Sequence, residues 1–433
     1  FFFLWWRISV TQEKQQRAKK LLQKAIATQS HEPATLHPQV DPTKCAGCGS
    51  CTLVCPEGDI LKLINHKAEL VAPSKCVGHG ECERSCPMGA ITLVFGTKAR
   101  GMDIPRVTAN YETNVAGLYI AGELGGMGLI RNAIKQGALA AQHATKNLGA
   151  AGGAQYDLLV IGAGPAGLGS GLVAIAERKK YLIIEQNSFG GTVNNFPRQK
   201  IVMTHPADLP IVGKMKFAGN QVSKEELLQY WYKIMGDTGL KVQEHTRFEN
   251  LRKENGIFVV STSRGEVTAQ KVILCLGVRG SPRKLGLANE NLPKVTYNLL
   301  DPEQYQNSAV AVVGGGNAGV EAAQYLAKAQ YKNKVTLLVR GGVFDRCNEQ
   351  NQKIILDLEK KGLVQIWFNS SVTEIEAKQI AINRGGKVEK IANDYLFVFA
   401  GAESPHKFLM SLGVAIDKKF GEALKKTTGT DAA

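Results

Sequence analysis

The chain has 433 residues, 44% of them hydrophobic, which suits about two to four folded domains with sizeable cores and excludes a disordered or fibrous protein. Its net charge of +15 would suit nucleic acid, an anionic surface or an acidic partner, but no aromatic and basic residues interleave as a nucleic-acid site requires, so nucleic acid is set aside. Of nine cysteines, seven lie between residues 45 and 86, which reads as a ligand cluster in a reducing compartment rather than a disulfide framework.

The first residue is Phe1, so a truncated or processed chain is expected. Phe1 to Val10 is apolar except for Arg7 and Ser9, and Lys14, Arg17, Lys19, Lys20 and Lys24 follow. A span needs about 20 apolar residues, so this stretch predicts the end of a transmembrane helix or an interfacial aromatic anchor. The lysines then place the remainder at the cytoplasmic face of the inner membrane, tethered by its N-terminus. An amphipathic helix is the alternative. Residues 11 to 28 read as a polar helix, and His31 to Pro42 as a linker with three prolines.

Cys45, Cys48, Cys51 and Cys55, followed by Pro56, form a C-x-x-C-x-x-C-x-x-x-C-P run. The two-residue gaps let one tight loop present three thiolates to an iron–sulfur cluster, whereas zinc more often takes two separated C-x-x-C pairs. Cys76, His79, Cys82 and Cys86 before Pro87 repeat the run, with His79 in the slot of the second cysteine. Short apolar strands follow each half, at Ile60 to Ile64 and Ala90 to Phe95. Residues 38–96 thus resemble a bacterial-type two-cluster ferredoxin. The resemblance implies crossed ligation: Cys45, Cys48 and Cys51 with Cys86, and Cys76, position 79 and Cys82 with Cys55. The clusters expected are of the 4Fe-4S type, the second either His-ligated or a three-iron form. An imidazole in place of a thiolate makes a cluster less negative and raises its potential.

Residues 113 to 123 form an apolar strand ending in Gly122-Glu123, and a helix follows from about Ile130 to Leu148. This resembles the C-terminal FAD-binding piece of the thioredoxin reductase-like flavoproteins. The resemblance implies that Glu123, where that family has Asp, meets the flavin ribityl chain or phosphate, and that the helix N-terminus faces the flavin ring.

A glycine-rich bridge over 149–155 leads to the buried strand Tyr156 to Ile161 and the fingerprint Gly162, Gly164, Pro165, Ala166, Gly167. The glycines permit the tight turn, the close approach of a pyrophosphate and the packing of helix on strand. The next strand ends in Glu185-Gln186, about 20 residues on, where a ribose-binding acid belongs. The loop Gly190 to Pro197, with Gly191, Thr192 and Asn195, stands where the family contacts the isoalloxazine. A helix is predicted from about Lys224 to Gly236, then strands Ile257 to Ser261, Glu266 to Thr268 and Lys271 to Leu276. Cys275 reads as a buried small hydrophobe.

A second fingerprint, Gly314, Gly316, Asn317, Ala318 and Gly319, opens a helix from Val320 to Ala329. Its following strand, Val335 to Val339, ends in Arg340 rather than an acid, which favours the 2′-phosphate of NADP(H) over NAD(H). A strand from Ile391 to Ala400 closes this unit. The tail Phe408 to Phe420 resembles the family's return into the FAD domain. In that family the Gly-Asp segment and last helix come after this return, and here they precede the first fingerprint, so the flavoprotein part resembles a circular permutant.

The fold class expected is α/β: two Rossmann-like dinucleotide-binding domains, for FAD and NAD(P), plus a small α+β dicluster ferredoxin domain. The divisions are 1–35, membrane-proximal segment and helix; 36–96, ferredoxin; 97–150, permuted FAD-domain segment; 151–285, FAD; 286–402, NAD(P); and 403–433, the return. Two dinucleotide sites beside clusters predict an iron–sulfur flavoprotein oxidoreductase that moves electrons between NAD(P)H and a partner through FAD and two clusters. Expected partners are an electron-transfer protein or membrane redox partner and, from resemblance, a second copy of the chain. Two alternatives stand beside it. One is a redox-sensing or docking subunit without turnover. The other is a disulfide reductase, disfavoured because 282–311 holds no cysteine pair and Ala166 occupies the fingerprint position where a bacillithiol disulfide reductase-like enzyme is expected to carry cysteine.

Overall fold

The computed structural model describes residues 2–27, 33, 36–73, 76–99, 101–126, 128–149, 153–203, 206–219, 221–278, 282–344, 347–403 and 405–423, without the side chains of 2–9 and 24. Phe1, the middle of the bridge and the tail beyond 423 lie outside the described residues.

No Pro or Gly interrupts the start of the chain, so the aromatic stretch and the lysine-rich stretch form one helix, α1 (Phe2–Ala27). Its second half packs on the next unit: Ala18 joins Ile64 and Val71 in a small core, with Leu21 and Leu22 against it. The expected membrane tether is therefore corrected. Among the described residues no helix is long and apolar enough to cross a membrane, because the apolar run stops at Val10 and Gln, Glu and Lys continue the same helix.

The cysteine-rich unit contains β1 (His37–Val40), α2 (Ser50–Leu53), β2 (Leu61–Ile64), β3 (Lys67–Leu70), α3 (Glu81–Arg84) and β4 (Ile91–Phe95). Strands β2 and β3 make a hairpin whose two turn residues, Asn65 and His66, both have positive φ, as the twist of a two-residue turn demands. Strand β1 pairs antiparallel with β4, His37 opposite Val94 and Val40 opposite Ile91. Leu36, Leu61, Ala68, Ile91, Leu93 and Phe95 fill a core that also buries Cys51 and Cys82.

Next come β5 (Met102–Pro105), β6 (Leu118–Ile120), α4 (Ile130–Lys146), β7 (Tyr156–Ile161), α5 (Pro165–Ala176) and β8 (Tyr181–Ile184). Four short strands, β9 (Ile201–Met203), β10 (Asp208–Leu209), β11 (Gly213–Lys214) and β12 (Val222–Ser223), pair as two ribbons. Helix α6 (Lys224–Thr238) is fixed by a Ser223–Glu226 capping box and stopped by Gly239 at φ 68°. Then follow β13 (Val242–Gln243), β14 (Phe248–Glu254), β15 (Ile257–Thr262) and β16 (Gly265–Leu274). Residues 265–274 are one strand where the sequence predicted two. Its length lets it serve two partners on one side: its first half pairs antiparallel with β15 and its last three residues pair parallel with β6. The resulting sheet runs β13-β8-β7-β16-β15-β14, with β6 on β16. Strand β7 is central and covered on both faces, so Leu158 to Ile161 can all be apolar. Helices α4 and α5 lie together on one face: a Cβ at Gly137 would sit 2.0 Å from the Ala166 carbonyl oxygen, and one at Gly169 would sit 2.3 Å from that of Ile134.

The second dinucleotide unit holds β17 (Val295–Thr296), β18 (Ala309–Val313), α7 (Asn317–Leu326), β19 (Lys334–Leu338), α8 (Glu349–Lys360) and β20 (Val364–Trp367). It continues with β21 (Ser370–Ile375), β22 (Gln379–Arg384), β23 (Lys387–Ala392) and β24 (Tyr395–Val398). Its parallel sheet is ordered β17-β24-β18-β19-β20, beside an antiparallel β21-β22-β23 sheet. The single strand expected over 391–400 is split between these two sheets at Asn393-Asp394. The Asp394 carboxylate accepts the Ala309 N–H, which fixes the turn.

The tail forms α9 (His406–Ser411), β25 (Ile416–Lys419) and β26 (Glu422–Ala423). Leu409, Leu412 and Val414 enter the same core as Leu118, Ile120 and Leu274. Strand β25 pairs with β5, and β26 pairs with β4 of the cysteine-rich unit. Arg106 reinforces this seam with a forked contact to Asp417, Nη2 to Oδ1 at 2.7 Å.

Candidate redox centres

The first fingerprint turn joins β7 to α5. Gly162 has φ +106°, and a Cβ there would collide with the Cys275 carbonyl oxygen at 2.4 Å. A Cβ at Gly167 would lie 1.9 Å from the Gly162 carbonyl oxygen, so helix and turn can approach only without side chains. Gly164 faces open space, the cradle a pyrophosphate needs. Pro165 occupies the first helical turn and Ala166 is buried beneath it. Glu185 is buried and spans the turn: its Oε2 accepts the Ala163 N–H at 2.9 Å and its Oε1 the Asn187 N–H at 3.0 Å. Gln186 is exposed beside it. Gly191 packs against Gly164, where a Cβ would meet Cα at 3.1 Å, so the loop holding Gly191, half-buried Thr192 and exposed Asn195 covers the fingerprint.

The segment before the fingerprint completes this site. Gly122 lies just past β6, and its N–H donates to the buried Gln136 Oε1 at 2.8 Å. A Cβ at Gly122 would meet Ala166 Cβ at 3.1 Å, so the Gly122-Glu123 turn lies on the fingerprint helix. Glu123 is half-buried at the entry to a short 3-10 turn, Glu123–Gly125. The sequence placed Gln136 on the predicted helix but gave it no role, since a glutamine within a helix carries no spacing signal.

The second fingerprint repeats the first. Gly314 has φ +134°, and a Cβ at Gly319 would meet the Gly314 carbonyl oxygen at 2.3 Å. Gly316 caps α7, and Asn317 and Ala318 are exposed at its first turn. The Asn317 Oδ1 accepts the Asn348 N–H at 2.8 Å. Arg340 is exposed just past β19. A second arginine, missed in the sequence, stands on the neighbouring strand ends: Ser370 pairs with Arg384, whose guanidinium lies 4.9 Å from the Trp367 ring centre. Asn369 binds both ends of this corner, donating its N–H to Gly341 and accepting that of Gly385.

The eight positions of the cysteine repeat sort into two hollows. Cys45, Cys48, Cys51 and Cys86 line one of about 320 Å³ with Leu63, Met88 and Ile91. Cys55, Cys76, His79 and Cys82 line another of about 360 Å³ with Glu57, Leu61 and Leu93. These are the crossed sets implied by the ferredoxin resemblance. Among the described residues no three His, Cys, Asp or Glu groups draw together as a single metal ion requires; the thiols ring wider hollows. Backbone donors already face the sulfurs, Ala68 N–H to Cys45 Sγ at 3.5 Å and Ala90 N–H to Cys86 Sγ at 3.3 Å. Burial, with the neighbouring Cys45, Cys48 and Cys86, pushes the Cys51 thiol up to about 11. Burial, with Cys76 and Cys55, pushes Cys82 up to about 12. His79 is 11% exposed, and its Nε2 lies 3.6 Å from Glu57 Oε1.

Cys275 and Cys347 are buried in different cores, that of the first dinucleotide unit and that of the second. Cys347 packs with Phe344 and Ile355.

Two nucleotide cradles on two α/β sheets, with a cysteine-ringed module, define an FAD- and NAD(P)-binding oxidoreductase that carries iron–sulfur chemistry. Residues 159–430 match the family described as pyridine nucleotide-disulphide oxidoreductase, and residues 37–87 match a 4Fe-4S dicluster domain. The chain belongs to the pyridine nucleotide-disulphide oxidoreductase family and is an FAD-dependent oxidoreductase. It is 28% identical over 278 residues to bacilliredoxin reductase Bdr of Bacillus subtilis (strain 168), covering 62% of this chain and 83% of that protein. It is 30% identical over 270 residues to a ferredoxin--NADP reductase of Ignicoccus hospitalis, covering 60% and 81%. The fold is similar to that of bacillithiol disulfide reductase Bdr (YpdA) from Staphylococcus aureus, with TM-score 0.54, 23% identity, and 60% and 81% covered.

Proposed function

We propose that the chain transfers electrons between NADP(H) and a one-electron partner protein, holding FAD and two iron–sulfur clusters as resident carriers. The observation that carries this reading is the crossed sorting of eight ligand positions into two hollows, in the chain that also folds both nucleotide cradles. FAD, when bound, exchanges hydride with a nicotinamide and single electrons with clusters, which is why the two kinds of site belong together. Gly162, Gly164 and Gly167 would receive its pyrophosphate, Glu185 its ribose, and the Gly122-Glu123 turn its ribityl side. Gly314, Gly316, Asn317 and Ala318 would receive the nicotinamide dinucleotide, and Arg340 with Arg384 would clamp a 2′-phosphate. The position of β6 and α4, built into this sheet from ahead of the first fingerprint, supports reading the flavoprotein part as a circular permutant.

The names of several relatives raise disulfide reduction as a second reading. The cysteines oppose it: Ala166 stands in the fingerprint, and Cys275 and Cys347 are buried in separate cores. The test is anaerobic mixing of the loaded protein and NADPH with either a one-electron protein acceptor or a low-molecular-weight disulfide. Reduction of the first alone is expected. Reduction of the disulfide with no transfer to the one-electron acceptor would replace this reading.

A further inference from the structure

The two hollows are not equivalent in their distance from the flavin side of the molecule, and one strand measures the difference. In β4, Ile91, Leu93 and Phe95 share a face, two residues apart. Ile91 lines the hollow of Cys45, Cys48, Cys51 and Cys86, and Leu93 lines that of Cys55, Cys76, His79 and Cys82. Phe95 meets the FAD domain: a Cβ at Gly126 would lie 2.9 Å from its ring and 3.5 Å from Ile104. Gly126 ends the same turn that begins with Gly122 on the fingerprint helix. At about 3.3 Å per residue, the three stations succeed one another along roughly 13 Å of a single strand.

A second contact makes the same assignment from the other side. Glu81, between His79 and Cys82, accepts from Arg131 Nη2 at 3.0 Å. Arg131 is in the first turn of α4, the helix that follows the Gly122–Gly126 turn and carries Gln136. Arg84 grips the same carboxylate at 2.6 Å and also donates to the His79 carbonyl at 3.1 Å. The loop that presents His79 and Cys82 is thus held to the flavin-side helix by a charged fork. In the other hollow Cys48 is exposed, as are Leu53 and Met88 nearby.

Resting on the reading above, we propose that the cluster of Cys55, Cys76, His79 and Cys82 is the one that exchanges electrons with the flavin, and that the cluster of Cys45, Cys48, Cys51 and Cys86 is the outer terminus. Glu81 and Arg131 are positioning residues for that exchange. The order makes the His-containing site an obligatory intermediate station.

The experiment uses the full chain loaded with FAD and clusters, and reads how reduction of a cluster alters the microwave power saturation of the flavin radical generated with dithionite. Cys48 is exposed, so Cys48→Ser is expected to lose the outer cluster, read as iron content, with little effect on the fold. The faster relaxation of the flavin radical is expected to persist in Cys48→Ser. Its loss there would overturn the order. Cys76→Ser, where it loads the other cluster, is expected to lose it, and retention overturns the order. Arg131→Gln is expected to weaken the relaxation effect at unchanged iron and flavin content, and Arg131→Lys to restore it; an unchanged effect in Arg131→Gln overturns the role of the pair. Failure of NADPH to bleach the flavin of the unaltered chain would sink the proposed function, whereas the dithionite measurement decides the order by itself.

Discussion

Arg340 and His79 carry the finest distinctions in this molecule. Arg340 is exposed just past β19, where a dinucleotide's ribose is read, and Arg384 stands across the adjoining strand ends. A charge-assisted bond to phosphate contributes about 1.5–3 kcal/mol, so Arg340→Ala is expected to weaken NADPH roughly ten- to a hundredfold with much less effect on NADH. Equal losses, read as KM for each nucleotide, would remove the case for NADP(H). His79 lines its hollow with three cysteines, and its ring abuts Glu57. A thiolate there adds negative charge, so His79→Cys is expected to lower the potential of one cluster in a redox titration followed by EPR. Two unchanged potentials would place the imidazole outside the ligand set. Arg340 was legible because its place is set by spacing along one strand. Arg384 was not, because only the pairing of Ser370 with Arg384 brings it to the same corner.

Among the elements, the pair α4 and α5 shows how tightly glycine controls the flavin site. Ala in place of Gly137 would put a methyl 2.0 Å from the Ala166 carbonyl, and backbone cannot yield there as a side chain tip could. Such overpacking typically costs about 1–3 kcal/mol, and here it would push α4 off the fingerprint helix. Gly137→Ala is expected to lower the melting temperature and the FAD content together. Full FAD occupancy in a chain of normal stability would contradict the packing. The fingerprints and the cysteine runs were legible because their chemistry is local: glycines and thiols at fixed short spacing. The helix read over 11–28 was legible, and 11–27 lie within α1, but the membrane tether was misread, because an apolar run and a basic run suggest an anchor and its flank, whereas Ala18 packs on Ile64 and Val71. Strand β16 was read as two because its mixed pattern reflects two partners along one length, β15 and then β6.

In the whole molecule, the cysteine-rich module is stitched into the flavoprotein by a segment about 300 residues away in sequence. Strands β25 and β26 add to β5 and β4, and Asp417 grips Arg106. No sequence pattern announces that pairing, since Glu422 and Ala423 carry no strand signal of their own. A chain ending at Ala415 keeps Leu409, Leu412 and Val414 in the core but loses both strands. It is expected to show faster amide hydrogen exchange at 91–95 and 102–105, with the protection of 156–161 unchanged. Uniform exchange across both modules would mean that the tail stabilises the fold globally rather than fixing the cysteine-rich module in place. That placement matters because a relay between two nucleotide cradles and two cysteine-ringed hollows needs them held at fixed distances. An anaerobic titration with NADPH, and separately NADH, followed by flavin absorbance and low-temperature EPR, reads the relay in one experiment. Flavin bleaching together with reduced-cluster signals is expected, at lower nucleotide concentration for NADPH. No bleaching with either nucleotide would rule the relay out.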